Sequence, residues 1–156
     1  MLNLIFSIDD DKVTQMLNQM IFNRTAFAKK CLAFMNGAEA INYFQQLNER
    51  DASLDNVPAV IFLDLNMPVM GGWQFLNKME EEVIHRFPGI KIVISSSCLN
   101  PIEKKQADGN SNVIAFLNKP LTLDMINTLK HHPELTMNFG MCDKYNLTQR
   151  KFADSI

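Results

Sequence analysis

The sequence predicts an α/β fold, a doubly wound parallel sheet with helices on both faces. Apolar strand-like runs alternate with helical patterns through five successive units, the order that a parallel sheet with right-handed crossovers requires. One of those runs, Val60-Ile61-Phe62-Leu63, is unbroken, as in a strand buried on both faces.

The strands read as Leu2–Ile8, Ala26–Phe34, Ala59–Leu63, Ile90–Ser95 and Val113–Asn118. In the first helical pattern Val13, Met16, Leu17, Met20 and Ile21 share one face. Ala40, Ile41, Phe44 and Leu47 do so in the second, and Phe75, Leu76, Met79 and Val83 in the third. A shorter fourth helix is expected over Pro101 to Asp108, with Asn100 as N-cap and Pro101 in the first helical position. The fifth runs from Thr122 to Leu129 and carries Met125, Ile126 and Leu129. Asn36-Gly37 is ordinary turn chemistry, Glu49 to Val57 is a polar loop, and the ten methionines are expected mostly to fill the core.

With 156 residues the chain suits one domain, since compact domains run to roughly 100–150 residues. A core of that size stands without disulfide or metal staples. Fifteen basic residues against seventeen acidic ones leave a charge of −2, which gives neither a positive field for nucleic acid nor the acidic excess of a disordered chain. The apolar run Leu4 to Ile8 is too short to span a membrane and follows no basic segment, so a cytoplasmic location away from membranes is expected. Cys31, Cys98 and Cys142 are far apart and form no CxxC pair, which argues against a zinc site or disulfide framework. His85, His131 and His132 read as surface residues.

Open α/β sheets bind ligands beyond the carboxyl ends of their strands. There the chain places Asp9-Asp10-Asp11 after the first strand, Asp64 and then Asn66 after the third, Ser95-Ser96-Ser97 at the fourth and Lys119-Pro120 at the fifth. Clustered carboxylates without Cys or His call for a hard divalent cation such as Mg²⁺. Such a cation opposite a lysine makes a site for a phosphoryl group, whose transfer needs mainly charge neutralisation and in-line positioning. Asp64 is a candidate nucleophile, Lys119 a point charge for phosphate oxygens and Ser95 a hydroxyl donor. Asp11 reads as an N-cap or first-turn acid, and Glu80-Glu81-Glu82 as a solvated helix face.

The stretches Leu4-Ile5-Phe6-Ser7-Ile8-Asp9-Asp10, Ile61-Phe62-Leu63-Asp64-Leu65-Asn66-Met67-Pro68, Ile92-Val93-Ile94-Ser95-Ser96 and Phe116-Leu117-Asn118-Lys119-Pro120, in this order and spacing, resemble the receiver domain of two-component response regulators. The likeness is to the single-domain chemotaxis and phosphorelay type and covers about residues 2 to 130. It implies a flavodoxin-like sheet of five parallel strands in the order 2-1-3-4-5. It also implies a receiver domain over residues 1–130, with 131–156, which hold Phe139, Tyr145 and Phe152, as a C-terminal extension and not a separate domain.

By that resemblance Asp64 is the phosphoacceptor, served by a histidine kinase or a histidine phosphotransfer protein. Mg²⁺ is bound by Asp10 and Asp64, by Asp9 mostly through water, and by the backbone carbonyl of Asn66. Ser95 stands in the place of the switch hydroxyl, Lys119 in that of the phosphate-binding lysine and Phe116 in that of the rotating aromatic. The Lys119–Pro120 bond is expected to be cis. Output is expected through a downstream protein target and not DNA. The protein would assist its own phosphorylation and dephosphorylation without being an enzyme in the usual sense.

Two departures stand out. Ser95 replaces the more usual Thr, and Gly71-Gly72 stands where Asp-Gly is usual. Asn66 and Ser97 occupy positions expected to set phosphate lifetime. An aspartyl phosphatase is a rival reading, disfavoured by Asn66 where such enzymes carry a second acid. A flavin-binding flavodoxin is disfavoured by the acidic first loop, and a receiver-like module working without phosphate by the completeness of the acidic set.

Overall fold

The structure is a computed structural model that describes residues 1–98 and 100–136. Phe139, Cys142, Tyr145 and Phe152 lie outside the described residues, as does most of the expected extension.

The element order is β1 (Leu2–Ile8), α1 (Lys12–Arg24), β2 (Ala28–Phe34), α2 (Gly37–Gln46), β3 (Val60–Asp64), α3 (Gly72–Lys78), β4 (Lys91–Ser96), α4 (Pro101–Asp108), β5 (Val113–Asn118) and α5 (Leu123–Leu129). A 3₁₀ turn at Glu49–Asp51 interrupts the polar loop, and α3 runs on into a π-helical turn at Met79–Val83. The strands form one sheet in the order β2-β1-β3-β4-β5, all pairs parallel.

Alternation along the strands feeds two apolar layers. Phe6, Ile61, Leu63, Ile92 and Ile94 pack with Phe44 of α2, Phe75 of α3 and Ala107 of α4. Ile5, Val60, Phe62 and Val93 pack on the other face with Phe22 of α1 and Ile126 and Leu129 of α5. All of β3 is buried, as its unbroken apolar run requires. Leu135 also belongs to the second layer and is fully buried, so the packed body extends a few residues past α5.

Helix ends follow local chemistry. Asp11 caps α1, its carboxylate accepting from Val13 N–H at 2.9 Å, and Asn100 caps α4 by accepting from Ile102 N–H at 2.9 Å. Thr122 is the cap of α5 and not its first residue, accepting from Met125 N–H at 3.2 Å. β2 starts two residues later than the sequence suggests, because Ala26 turns the chain with a φ of 48°.

In α1 the shared apolar face points outward. Val13, Met16, Leu17 and Met20 do share a face, but they are 63%, 68%, 47% and 57% exposed. The buried side carries Gln15, Asn18 and Phe22. Met16 and Met20 are therefore not core filler. Periodicity identifies a face but not its direction, and here the Gln15 side chain is drawn inward by strand-end carbonyls. The Gln15 amide donates to the carbonyls of Ser7 (2.9 Å), Phe34 (3.0 Å) and Asp9 (3.1 Å).

Candidate functional site: an acidic cluster facing a lysine

The parallel register brings the singled-out residues to one edge. Ile8 pairs with Leu63, Asp64 with Ser95, and Ser95 with Leu117. Asp9 therefore leaves β1 beside Asp64, and Lys119 leaves β5 two residues beyond Leu117.

Asp9 and Asp64 are buried while Asp10 is exposed, and carboxylate oxygens of all three lie within 4.8 Å of one another. Lys119 neutralises part of this charge. Its Nζ lies 2.6 Å from Asp9 Oδ2 and 3.2 Å from Asp64 Oδ2. The second oxygens are held by the backbone: Asp9 Oδ1 accepts from Asp11 N–H at 2.9 Å, and Asp64 Oδ1 from Asn66 N–H at 3.2 Å. The Lys119–Pro120 bond is cis.

Burial pushes the Asp64 carboxyl above its ordinary range, against the pull of the Lys119 ammonium and the Asn66 N–H. Burial also works against the Lys119 charge, but the hydrogen bond and charge of Asp9, with the charge of Asp64, outweigh it and hold the amine above its usual value. Lys119 is thus a fixed cation. Asp64 is a carboxylate whose negative charge is under-compensated.

Ser95 is buried, and its hydroxyl has no hydrogen-bond partner among the described residues. An unmade bond at a buried hydroxyl costs free energy, so this group is available to a ligand oxygen. Ser96, by contrast, is used locally: its hydroxyl donates to the Cys98 carbonyl at 3.0 Å and accepts from Cys98 N–H at 3.3 Å. Ser97 is exposed. Phe116 is half-buried against the first apolar layer and pairs in register with Ile94, next to Ser95.

The loop after β3 is tight. Val69 is 82% exposed with a φ of 69°, a region a β-branched residue rarely adopts. A Cβ at Gly72 would lie 2.7 Å from both the Asp64 carbonyl oxygen and Leu65 Cα. The helix start can press against the Asp64 backbone only because residue 72 has no side chain. This accounts for Gly72, which the usual Asp-Gly also carries; at Gly71, where the departure lies, a Cβ would meet only carbonyl oxygens of Leu65 and Met67 at 3.4 and 3.7 Å, so packing does not require a glycine there.

A family profile for the response regulator receiver domain matches residues 5–130. The chain belongs to that family. This receiver domain is 31% identical over 121 residues to the "Hybrid signal transduction histidine kinase C" of Dictyostelium discoideum, a match spanning 74% of this chain but only 9% of that protein. Among solved structures it is similar to a two-component response regulator from Cytophaga hutchinsonii, with 26% identity, a TM-score of 0.74, and coverage of 82% of this chain and 93% of that one. It shares the fold of a CheY-like receiver domain protein from Methanospirillum hungatei JF-1 at 15% identity, with a TM-score of 0.67 and coverage of 90% and 99%. No helix among the described residues is long and apolar enough to cross a membrane.

Sequence reasoning singled out Asp9, Asp10, Asp64, Ser95 and Lys119, and all five lie on this edge. It missed Gln15, since a glutamine inside a helix reads as a surface residue. Only the run Ser7 to Asp9 ending a strand beside it could have hinted at bare carbonyls to satisfy.

Proposed function

We propose that this receiver domain takes a phosphoryl group onto Asp64, and that a changed protein-binding surface is its output. The observation that carries the reading is the buried Asp64 carboxylate set between a fixed cation, Lys119, and the unpartnered Ser95 hydroxyl. A carboxylate oxygen of Asp64 attacks phosphorus in line. The bond from phosphorus to the donor atom breaks, and the donor leaves with the electron pair. Lys119 and Ser95 then each face one phosphoryl oxygen.

The donor set suits Mg²⁺: clustered carboxylate oxygens with no nitrogen or sulfur ligand among them. Asp9, Asp10 and Asp64 would hold it with the Asn66 backbone carbonyl, and when bound it supplies charge neutralisation at the phosphoryl oxygens. Asn66 and Ser97 flank the phosphoryl position and set access of water, hence phosphate lifetime.

The donor is a histidine kinase or a histidine phosphotransfer protein, in keeping with the hybrid kinase match. The exposed apolar face of α1 begins three residues after Asp10 and supports docking of that donor beside the acids. Drawing Ser95 toward phosphate frees room for Phe116, which shares its strand pair, and so re-shapes the β4–β5 surface for a downstream protein. DNA is not the target, consistent with the charge of −2. Residues 1–130 carry every group this cycle uses, and it proceeds in the cytoplasm.

The test is incubation with Mg²⁺ and acetyl phosphate followed by intact mass measurement. The expected result is the addition of one phosphoryl group, absent in Asp64→Asn. Uptake undiminished in Asp64→Asn would overturn the assignment. Phe116→Ala should keep uptake and lose phosphate-dependent partner capture.

A further inference from the structure

The amino edge of the sheet opens on an apolar cavity of about 430 Å³, lined by Leu2, Leu54, Phe87 and Ile90 among others. The carboxyl edge carries hydroxyls instead, three in a row at the end of β4, and each has a different fate. Ser95 Oγ is buried without a partner among the described residues, and Ser97 is exposed. Between them Ser96 is fully buried, yet the phosphoryl chemistry at Asp64 makes no use of it.

Ser96 is tied in two directions. Its hydroxyl donates to the Cys98 carbonyl at 3.0 Å and accepts from the Cys98 N–H at 3.3 Å, so it holds both backbone groups of one residue two places on. Its own carbonyl accepts from the Lys119 N–H at 2.8 Å. Cys98 stands two residues before Asn100, the cap of α4. One side chain thus closes the joint between the end of β4, where Ser95 sits, and the start of α4. A serine hydroxyl both donates and accepts, so alanine at 96 would remove both bonds at once.

We propose that Ser96 is a positioning residue: its hydroxyl makes the β4–α4 joint a stiff link, so that Ser95, when drawn to a phosphoryl oxygen, carries Cys98 and the start of α4 with it. This role rests on phosphoryl acceptance at Asp64 and adds how that event leaves the site. Without the tie, Ser95 still closes on the ligand, but Cys98 no longer follows. The Lys119 N–H is bound by the Ser96 carbonyl and not by its hydroxyl, so substitution of the side chain leaves the phosphate-binding lysine in place. Uptake and transmission therefore separate at this one residue.

Cys98 is the reporter, since its thiol is exposed. Burial pushes the Cys31 thiol up to about 12, so that it alkylates slowly. The test compares the full chain with Ser96→Ala, each with and without Mg²⁺ and beryllofluoride, a stand-in for the phosphoryl group on Asp64. Labelling by iodoacetamide is read by peptide mass mapping, which separates Cys98 from Cys142. In the unaltered chain beryllofluoride should change the labelling rate of Cys98 by about fivefold or more, the bias that an ordinary net hydrogen bond gives an equilibrium. Ser96→Ala should still bind beryllofluoride, seen in Trp73 fluorescence, and should label at one rate in both conditions. A role in stability alone would shift both rates together and keep their ratio. Three results overturn the proposal. They are an equal loading response in Ser96→Ala, a Cys98 rate in the unaltered chain that beryllofluoride binding does not move, and loss of beryllofluoride binding in Ser96→Ala. An unaltered chain that neither binds beryllofluoride nor takes a phosphoryl group from acetyl phosphate overturns the reading of Asp64 itself, an outcome distinct from all three.

Discussion

The two edges of the sheet are built from opposite materials. At the carboxyl edge, buried Asp9 and Asp64 face Lys119, a β-branched residue sits at a φ of 69°, and Gly72 leaves no room even for a methyl group. At the amino edge the lining is aliphatic and aromatic, and the backbone at Gly89 stands in open space. Chemistry demands the first arrangement, because fixed charges must be held close without water between them. The second arrangement costs little to build and tolerates change. The difference predicts how substitutions on each edge behave.

The largest contrast concerns phosphoryl uptake. Lys119→Ala should slow uptake from acetyl phosphate by about 100-fold or more, the usual cost of losing a fixed charge at a developing anion. Leu54→Asp, at the far edge, should leave the rate within about twofold. Mass spectrometry over a time course measures both, and equal losses would dissolve the distinction between the edges.

Next comes the cation. Asp10→Ala should weaken Mg²⁺ binding by at least about tenfold, since even outer-shell partners of a metal are worth that much. Trp73 follows Gly72 directly and packs against the first layer, so its fluorescence reports the titration. An unchanged titration curve removes Asp10 from the site.

A matched pair then compares the edges by one methyl group. Gly72→Ala should cost about 1–3 kcal/mol, as overpacking does, and displace the Asp64 backbone. Gly89→Ala should fall between neutral and a gain of about 1 kcal/mol through the unfolded chain. Urea unfolding of the two variants decides it, and similar midpoints would show that the carboxyl edge is less tight than its distances imply. The smallest effect is at Val69. Val69→Asn should gain about 1 kcal/mol by relieving the left-handed backbone, with phosphoryl uptake retained.

How much of this was legible in the sequence depended on the kind of signal. The five strands and five helices were, because buried strands leave unbroken apolar runs and helices leave a 3.6 period. The acidic cluster was, because Asp and Lys at strand ends are conspicuous against those runs. Ser95 was named as a donor, but that its hydroxyl lies buried and unpartnered is a property of packing. The direction of the apolar face of α1 was not legible. Val13, Met16, Leu17 and Met20 read as one shared face, and it points outward while carbonyls of Ser7, Asp9 and Phe34 claim Gln15. The cavity was invisible as well, since Leu2, Leu54 and the pair Phe87 and Ile90 come from three separate segments.

The Gln15 amide has a mechanical consequence. It fastens α1 to the mouths of two strands at a single rivet, through carbonyls of Ser7 and Asp9 on one strand end and Phe34 on the next. The Asp9 whose carbonyl takes that rivet also grips Lys119 through its carboxylate. From the outer stripe of α1 to the ion pairs around Asp64 the path is short: it runs through Gln15, Asp9 and Lys119.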